Sequence, residues 1–183
     1  MQATPTRSTG SVWLTVFGWV FLLYLYIQIL GFYQGDITNP LLGVLYFVLF
    51  GVHEAAHIVA VFLPPVVTAA AGSLSEIVFT GLMLLAALKA RAFFVASFAL
   101  LWVMLAFTSA GRYMADAIAQ SMPLMGPGQN PQHDWNFVFT QLGWLENSVM
   151  IGDVVRIVGY GIGAIGLLLG LVLVVGAFVK RYS

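Results

Sequence analysis

Five long apolar runs dominate this sequence, and each is long enough to cross a lipid bilayer as an α-helix. A hydrocarbon core about 30 Å thick needs about 20 helical residues at ~1.5 Å each. Of the residues, 61% are hydrophobic and 8% charged, whereas soluble domains have about 45–50% and about 25%. Because barrel-type strands of alternating polarity are absent, we predict an all-α integral membrane protein, a polytopic bundle of five to six transmembrane helices. The runs are Val12 to Tyr33, Leu41 to Leu63, Val66 to Leu88, Ala92 to Ala110 and Val154 to Val179.

The rest of the chain is short and polar. Residues 1–11 are predicted to form an exposed tail, and residues 12–183 a single integral-membrane domain. The small and polar stretch Ala69 to Glu76 suggests that the third run begins as an irregular or re-entrant segment. Pro123 to Pro131 is rich in Gly and Pro and is predicted to be a loop. Asn136 to Met150 is a helical candidate whose polarity leaves open whether it crosses the membrane.

Membrane orientation is not fixed by the basic residues. Five alternating spans place the pairs Lys89/Arg91 and Lys180/Arg181 on one side and the amino terminus on the other, whereas a sixth crossing splits the pairs. The last run also has glycines at three- and four-residue spacing, which permit close helix approach. We expect packing within the chain there rather than a dimer interface. These glycines are Gly159, Gly163, Gly166 and Gly170.

Charge and cysteine content narrow the possible functions. Seven Lys plus Arg balance seven Asp plus Glu, so no basic surplus supports nucleic-acid binding. The chain has no cysteine. A disulfide framework, a thiolate metal site and a cysteine nucleophile are therefore excluded, and any metal has to be held by His, Asp or Glu.

The second apolar run contains the string H-E-A-A-H, formed by His53, Glu54 and His57. Ionisable side chains at the centre of a membrane helix cost about 2.5–3.5 kcal/mol each, so they need a partner or a function. On a helix, residues four apart share a face about 5–6 Å apart, which lets both imidazoles bind one divalent ion. Glu54 then lies beside the ion as a general base for a water whose pKa zinc lowers to about 7. The alternative is axial ligation of a haem-type or chlorophyll-type tetrapyrrole.

A catalytic zinc ion needs a third protein ligand. His133 and Asp134 follow the Gly/Pro-rich loop, and spacing does not decide between them. Glu76 is either an acceptor that orients a ligand imidazole or a residue at the membrane edge in water. Arg112 and Asp116, four residues apart, are expected to pair along their own helix. If they face the bundle instead, Asp116 supports a ligand and Arg112 stabilises a developing oxyanion.

The sequence resembles the site-2-protease class of membrane-embedded zinc metalloproteases. The resemblance rests on H-E-A-A-H within an apolar span and on N-P-Q-H-D-W, where Asp134 follows Asn130 and Pro131. With G-S-L-S-E and Y-M-A-D-A-I-A-Q, the set is also similar to small bacterial membrane proteins related to that class. The resemblance implies His53 and His57 as zinc ligands, Glu54 as catalytic base and Asp134 as third ligand, with His133 the alternative. The L-D-G motif of the class and a PDZ-like insertion are absent.

These observations predict a zinc-dependent intramembrane hydrolase, a peptidase acting on a membrane protein or peptide in or beside the bilayer. Its surroundings are membrane lipids, in the inner membrane of a bacterium. The alternative function is a non-catalytic subunit of a larger membrane assembly that holds a structural metal or a tetrapyrrole through His53 or His57.

Overall fold

The apolar runs form five long α-helices, and a sixth helix is short. The computed structural model describes residues 9–32, 39–122, 124 and 132–182. All five long helices are long and apolar enough to cross a membrane, so the predicted all-α, polytopic class is confirmed. The helices are α1 (Thr9–Gly31), α2 (Pro40–Val59), α3 (Pro65–Lys89), α4 (Phe93–Ala115), α5 (Asp134–Leu142) and α6 (Ser148–Tyr182), with a 3₁₀ turn at Leu145–Asn147 before α6.

Helix ends follow local side-chain chemistry. Asn39 caps α2 by accepting hydrogen bonds from the backbone N–H groups of Leu41 and Leu42, and Pro40 occupies the first helical position. The Thr68 hydroxyl donates to the Ala60 carbonyl oxygen at 2.8 Å, so α3 satisfies an acceptor at the end of α2. Gly143 ends α5 in the left-handed conformation, with φ of 70°.

Three predictions about individual segments are corrected. The region Ala69 to Glu76 is regular helix within α3, and its Gly72 lies against His53 of α2. Asn136 to Met150 does not cross the membrane, since α5 has nine residues and spans only ~13 Å. α1 begins at Thr9, so the end of the predicted tail is helical. Residues 1–8 of that tail, and Pro123 to Pro131 apart from Leu124, lie outside the described residues.

Glycines of α6 let two neighbouring helices pack closely against it. A methyl group added at these positions would meet side chains or backbone of α1 or α4, so the predicted packing within the chain is confirmed. Residue numbers rise along α6 as they fall along the partners, and α6 is therefore antiparallel to both. The glycines and their neighbours are Gly152 with Gly111, Gly159 with Phe107, Gly163 with Met104 and Tyr26, Gly166 with Leu100, and Gly170 with Trp19 and Leu22.

The short helix α5 closes one end of the bundle. Trp135, Val138 and Phe139 are buried there with Met114 and Ala117, near the carboxyl end of α4. Residues from the amino-terminal parts of α3 and α6 complete this cluster. We refer to this end of the bundle as the α5 end.

The directions of the helices differ from simple alternation. The Trp102 indole donates to the Leu45 carbonyl oxygen at 3.4 Å, and the rings of His53 and Tyr113 are 6.2 Å apart. α2 is therefore parallel to α4. Since α1 and α4 are both antiparallel to α6, the helices α1, α2 and α4 all run towards the α5 end, and α3 and α6 run away from it.

The parallel pair α1 and α2 departs from the simple alternation that would place the amino terminus opposite both basic pairs. Asn39 donates to the Tyr24 hydroxyl at 2.8 Å and to the Gln28 side chain at 3.2 Å, so α2 begins beside the second half of α1. α1 runs antiparallel to α6, with Trp19 hydrogen-bonded to Leu167 and Tyr26 to Tyr160. The start of α1 therefore lies at the same end as Lys89, Arg91, Lys180 and Arg181, not opposite them.

Candidate metal centre

His53, His57 and Asp134 come together at the α5 end. One ligand atom from each lies within 4.8 Å of the others. Asp134 Oδ2 is 3.3 Å from His53 Nε2 and 3.3 Å from His57 Nε2. The structure thus brings two residues of one helical face together with a residue about eighty positions later in the chain.

Each imidazole is oriented through its other ring nitrogen. His57 Nδ1 is 2.9 Å from the carbonyl oxygen of Thr68, which can only accept, so Nδ1 carries the hydrogen. His53 Nδ1 is 2.8 Å from Glu76 Oε1. Glu76 is 5% exposed and lies on α3, so it is a buried partner of His53 rather than a residue at the membrane edge in water. With both Nδ1 atoms committed, the two Nε2 atoms face Asp134 Oδ2.

The two separations from Asp134 Oδ2 match those expected between ligands of one zinc ion. Charge-assisted N–H···O bonds have lengths of about 2.7–2.9 Å, shorter than the 3.3 Å separations here. Ligands about 2.0–2.1 Å from a tetrahedral zinc ion are ~3.3 Å from one another. The donor set, two imidazole nitrogens and one carboxylate oxygen, is one that zinc accepts in catalytic sites.

Gly72 completes the shape of the site. Its Cα faces the His53 imidazole, and an added Cβ would lie 2.6 Å from both Cδ2 and Cε1 of the ring. Only glycine leaves room for the imidazole between α2 and α3. The ring is therefore confined by Gly72 on one side and held by Glu76 through Nδ1.

The Asp134 carboxylate is ionised at neutral pH. Burial on its own would raise the pKa of Asp134, but the neighbouring His53 and His57 imidazoles lower it to about 2. The side chains of His57 and Asp134 are 23% and 20% exposed, whereas that of His53 is 11% exposed. The site is thus reached from the His57 and Asp134 side.

His133 lies apart from the three converging atoms. Its Nδ1 accepts the backbone N–H of Asn136 at 3.2 Å, which caps α5. Its Nε2 points to Asp116 Oδ2 at 3.5 Å. Burial lowers the pKa of His133, so the ring is neutral with the hydrogen on Nε2. Of the two adjacent candidates, the structure places Asp134 at the imidazoles and His133 at the helix cap.

Arg112 and Asp116 do not pair with each other in the part of the chain that the structure describes. Arg112 Nη2 donates at 3.2 Å to the carbonyl oxygen of Leu30, in the last turn of α1, where carbonyls lack helical partners. The Asp116 carboxylate accepts from the Ser121 N–H and hydroxyl and from the Met122 N–H. The predicted ion pair is wrong because each group has a backbone partner that helix spacing does not reveal. Within the described residues, no hydrogen bond or ion pair joins either side chain to His53, His57 or Asp134. Asp116 instead faces His133, the residue next to Asp134.

Glu54 follows His53 on α2 and is half-buried. No hydrogen bond or ion pair joins its side chain to another residue within the described ranges. The role of Glu54 as a general base stays a prediction.

Three contributing residues were not singled out from the sequence, although Gly72 and Tyr113 stand within the motifs G-S-L-S-E and Y-M-A-D-A-I-A-Q. They are Thr68, Gly72 and Tyr113, whose hydroxyl lies 3.1 Å from the Asp134 backbone nitrogen. They lie on α3 and α4, and only the tertiary packing brings them to the imidazoles. Comparison of the chain with protein-family models, curated proteins and solved structures finds no match.

Proposed function

We propose that the protein is a zinc-dependent hydrolase of the membrane, a peptidase that cleaves membrane-embedded or juxtamembrane segments of other proteins. The observation that carries this proposal is the convergence of His53 Nε2, His57 Nε2 and Asp134 Oδ2, with both Nδ1 atoms already hydrogen-bonded. This arrangement agrees with the ligand set that the resemblance to site-2 proteases implies. The cellular setting we propose is the inner membrane of a bacterium.

Different residues would carry out metal binding, proton transfer and orientation of the imidazoles in the proposed reaction. When bound, a zinc ion supplies Lewis-acid polarisation of the substrate carbonyl and acidifies a water molecule at neutral pH. His53, His57 and Asp134 would hold the ion. Glu54 accepts the proton of the attacking water and delivers it to the leaving amine, the usual work of a general base that then acts as an acid. Glu76 and the Thr68 carbonyl keep the imidazoles in the ligating tautomer.

The geometry favours this function over a subunit that binds a tetrapyrrole. An axial ligand presents one Nε2 to the face of a flat macrocycle. Here both Nε2 atoms point at one carboxylate oxygen, 3.3 Å from each, and Gly72 confines the His53 ring. A structural zinc site would be closed by four protein ligands, and His133, the remaining histidine, is engaged elsewhere.

The first experiment measures zinc in purified protein by elemental analysis. We expect about one zinc ion per chain, and loss of the ion in His53→Ala. His133→Asn is the matched control, because asparagine can also cap a helix, and it should retain zinc. Equal zinc content in His53→Ala and the parent would refute the ligand assignment, and zinc loss in His133→Asn would restore His133 as the third ligand.

The second experiment tests catalysis. Zinc-loaded protein is reconstituted with a bacterial membrane-protein fraction, and new amino termini are identified by mass spectrometry. We expect new termini with the parent and with the control Glu146→Gln, an exposed glutamate in the turn before α6, but none with Glu54→Gln, which keeps its zinc. The same termini with Glu54→Gln would remove Glu54 from the mechanism. Their absence with the zinc-loaded parent would contradict peptidase activity.

A further inference from the structure

Tyr113 holds Asp134 through two hydrogen bonds made by a single hydroxyl group. The hydroxyl accepts the Asp134 backbone N–H at 3.1 Å. It also donates to Asp134 Oδ2 at 3.4 Å, the same oxygen that faces both imidazoles. The Tyr113 ring packs on His133, with ring centroids 4.2 Å apart.

This contact is significant because of where Asp134 lies. Asp134 is the first residue of α5, a helix of nine residues, and the N–H groups of a first helical turn have no partner within the helix. The Tyr113 hydroxyl supplies a partner for one of them and fixes the carboxylate at the same time. Backbone and side chain of the third ligand are thus tied to α4, which is the most buried of the five long helices.

We infer that Tyr113 is a positioning residue, whose hydroxyl fixes Asp134 Oδ2 towards His53 and His57 and thereby sets the zinc affinity of the site. The inference rests on the proposed zinc site. Tyr113 acts through Asp134 and needs no contact with the metal or the substrate. Partners of this kind typically change metal affinity by about 10–100-fold when removed.

The experiment is a competition titration of zinc against a chromophoric chelator. Tyr113→Phe, which deletes only the hydroxyl, should raise the zinc Kd about tenfold or more. Tyr160→Phe is the matched control, since it deletes a hydroxyl on α6 whose partner is Arg156 at 3.5 Å, and it should leave the Kd unchanged. Tyr113→Trp is measured in parallel, so that the result does not depend on one variant folding.

A double-mutant cycle separates positioning from a general loss of structure. In an Asp134→Ala background, Tyr113→Phe should cause no further loss of zinc affinity, because the residue it positions is gone. An equal loss in both backgrounds, or a Kd of either Tyr113 variant within about twofold of the parent, overturns the inference. If His53→Ala binds zinc like the parent, the proposed function fails instead, so the two failures are distinguishable.

Discussion

Replacing Gly72 by alanine should destroy zinc binding while leaving the helix that carries it intact. The new methyl group would lie 2.6 Å from Cδ2 and Cε1 of His53, against a carbon–carbon contact distance of about 3.5–4.0 Å. The imidazole therefore has to move by ~1 Å or rotate. Either movement breaks the 2.8 Å contact of Nδ1 with Glu76 and turns Nε2 away from Asp134.

The expected rise in the zinc Kd follows from the lost contact with Glu76 and from the displacement of Nε2. Losing an orienting partner costs about 10–100-fold in metal affinity, equivalent to about 1.4–2.8 kcal/mol. Misplacing the ligand atom itself adds to this, so we expect the zinc Kd of Gly72→Ala to rise by ~100-fold or more. Alanine is favoured over glycine within a helix by about 1 kcal/mol, which offsets part of an overpacking cost of about 1–3 kcal/mol. The metal-free protein should thus stay folded.

Gly81→Ala is the matched control for this prediction. Gly81 lies on the same helix, and a Cβ added there meets nothing within 4 Å. The control should bind zinc like the parent and melt at an equal or slightly higher temperature. Chelator competition gives the Kd values, and thermal unfolding in detergent gives the stabilities. If Gly72→Ala and Gly81→Ala bind zinc equally well, the close approach of α3 to the His53 ring does not govern the site.

Three further predictions test the surroundings of the site and the directions of the helices. Glu76→Gln keeps an acceptor for His53 Nδ1 but removes its charge, so the zinc Kd should rise about tenfold; an unchanged Kd in the same titration contradicts this. Hydrogen bonds from Ser121 and Met122 outweigh the effect of burial and lower the pKa of Asp116, so its stabilising effect is present above pH ~3.8 and disappears as the pH falls through the lowered pKa. Asp116→Asn should therefore unfold more easily than the parent at pH 7, by about 1–3 kcal/mol, and the difference should shrink as the pH falls below ~3.8; a difference independent of pH refutes the reasoning. Cysteines introduced at Ala90 and Lys180 should react with an impermeant reagent from one side of the membrane and a cysteine at Gln141 from the other, and labelling of all three from one side contradicts the helix directions.

Hydropathy predicted the helices but not their directions. Each long helix matches an apolar run, because run length and composition suffice to identify a membrane-length helix. Direction depends on which helices pack together. The hydrogen bonds of Asn39 to Tyr24 and Gln28 place α2 alongside α1, and nothing in the apolar pattern of either run indicates that pairing.

In the candidate site too, the sequence predicts what one helix determines and does not predict what depends on tertiary packing. The spacing of His53 and His57 is a property of one helix, so the sequence predicts that their imidazoles share a face. His133 and Asp134 are neighbours at the start of α5, where one residue caps the helix and the next begins it. Their side chains diverge for that reason, and spacing alone could not choose between them.

The position of the site along the bundle bears on the proposed hydrolysis. His57 lies two residues and His53 six residues before the end of α2, which corresponds to ~3 Å and ~9 Å along the helix axis. Asp134 is delivered by a short helix that does not cross the bilayer. Two of the three side chains are about one-fifth exposed. The proposed hydrolase would consume water, and a site at the end of a helix would obtain it without a channel through the apolar core. The same position reduces the cost of burying ionisable groups, which is greatest at the bilayer centre. We therefore expect substrates to be cut near the membrane surface at the α5 end, and cleavage sites mapped to the middle of transmembrane segments would contradict this.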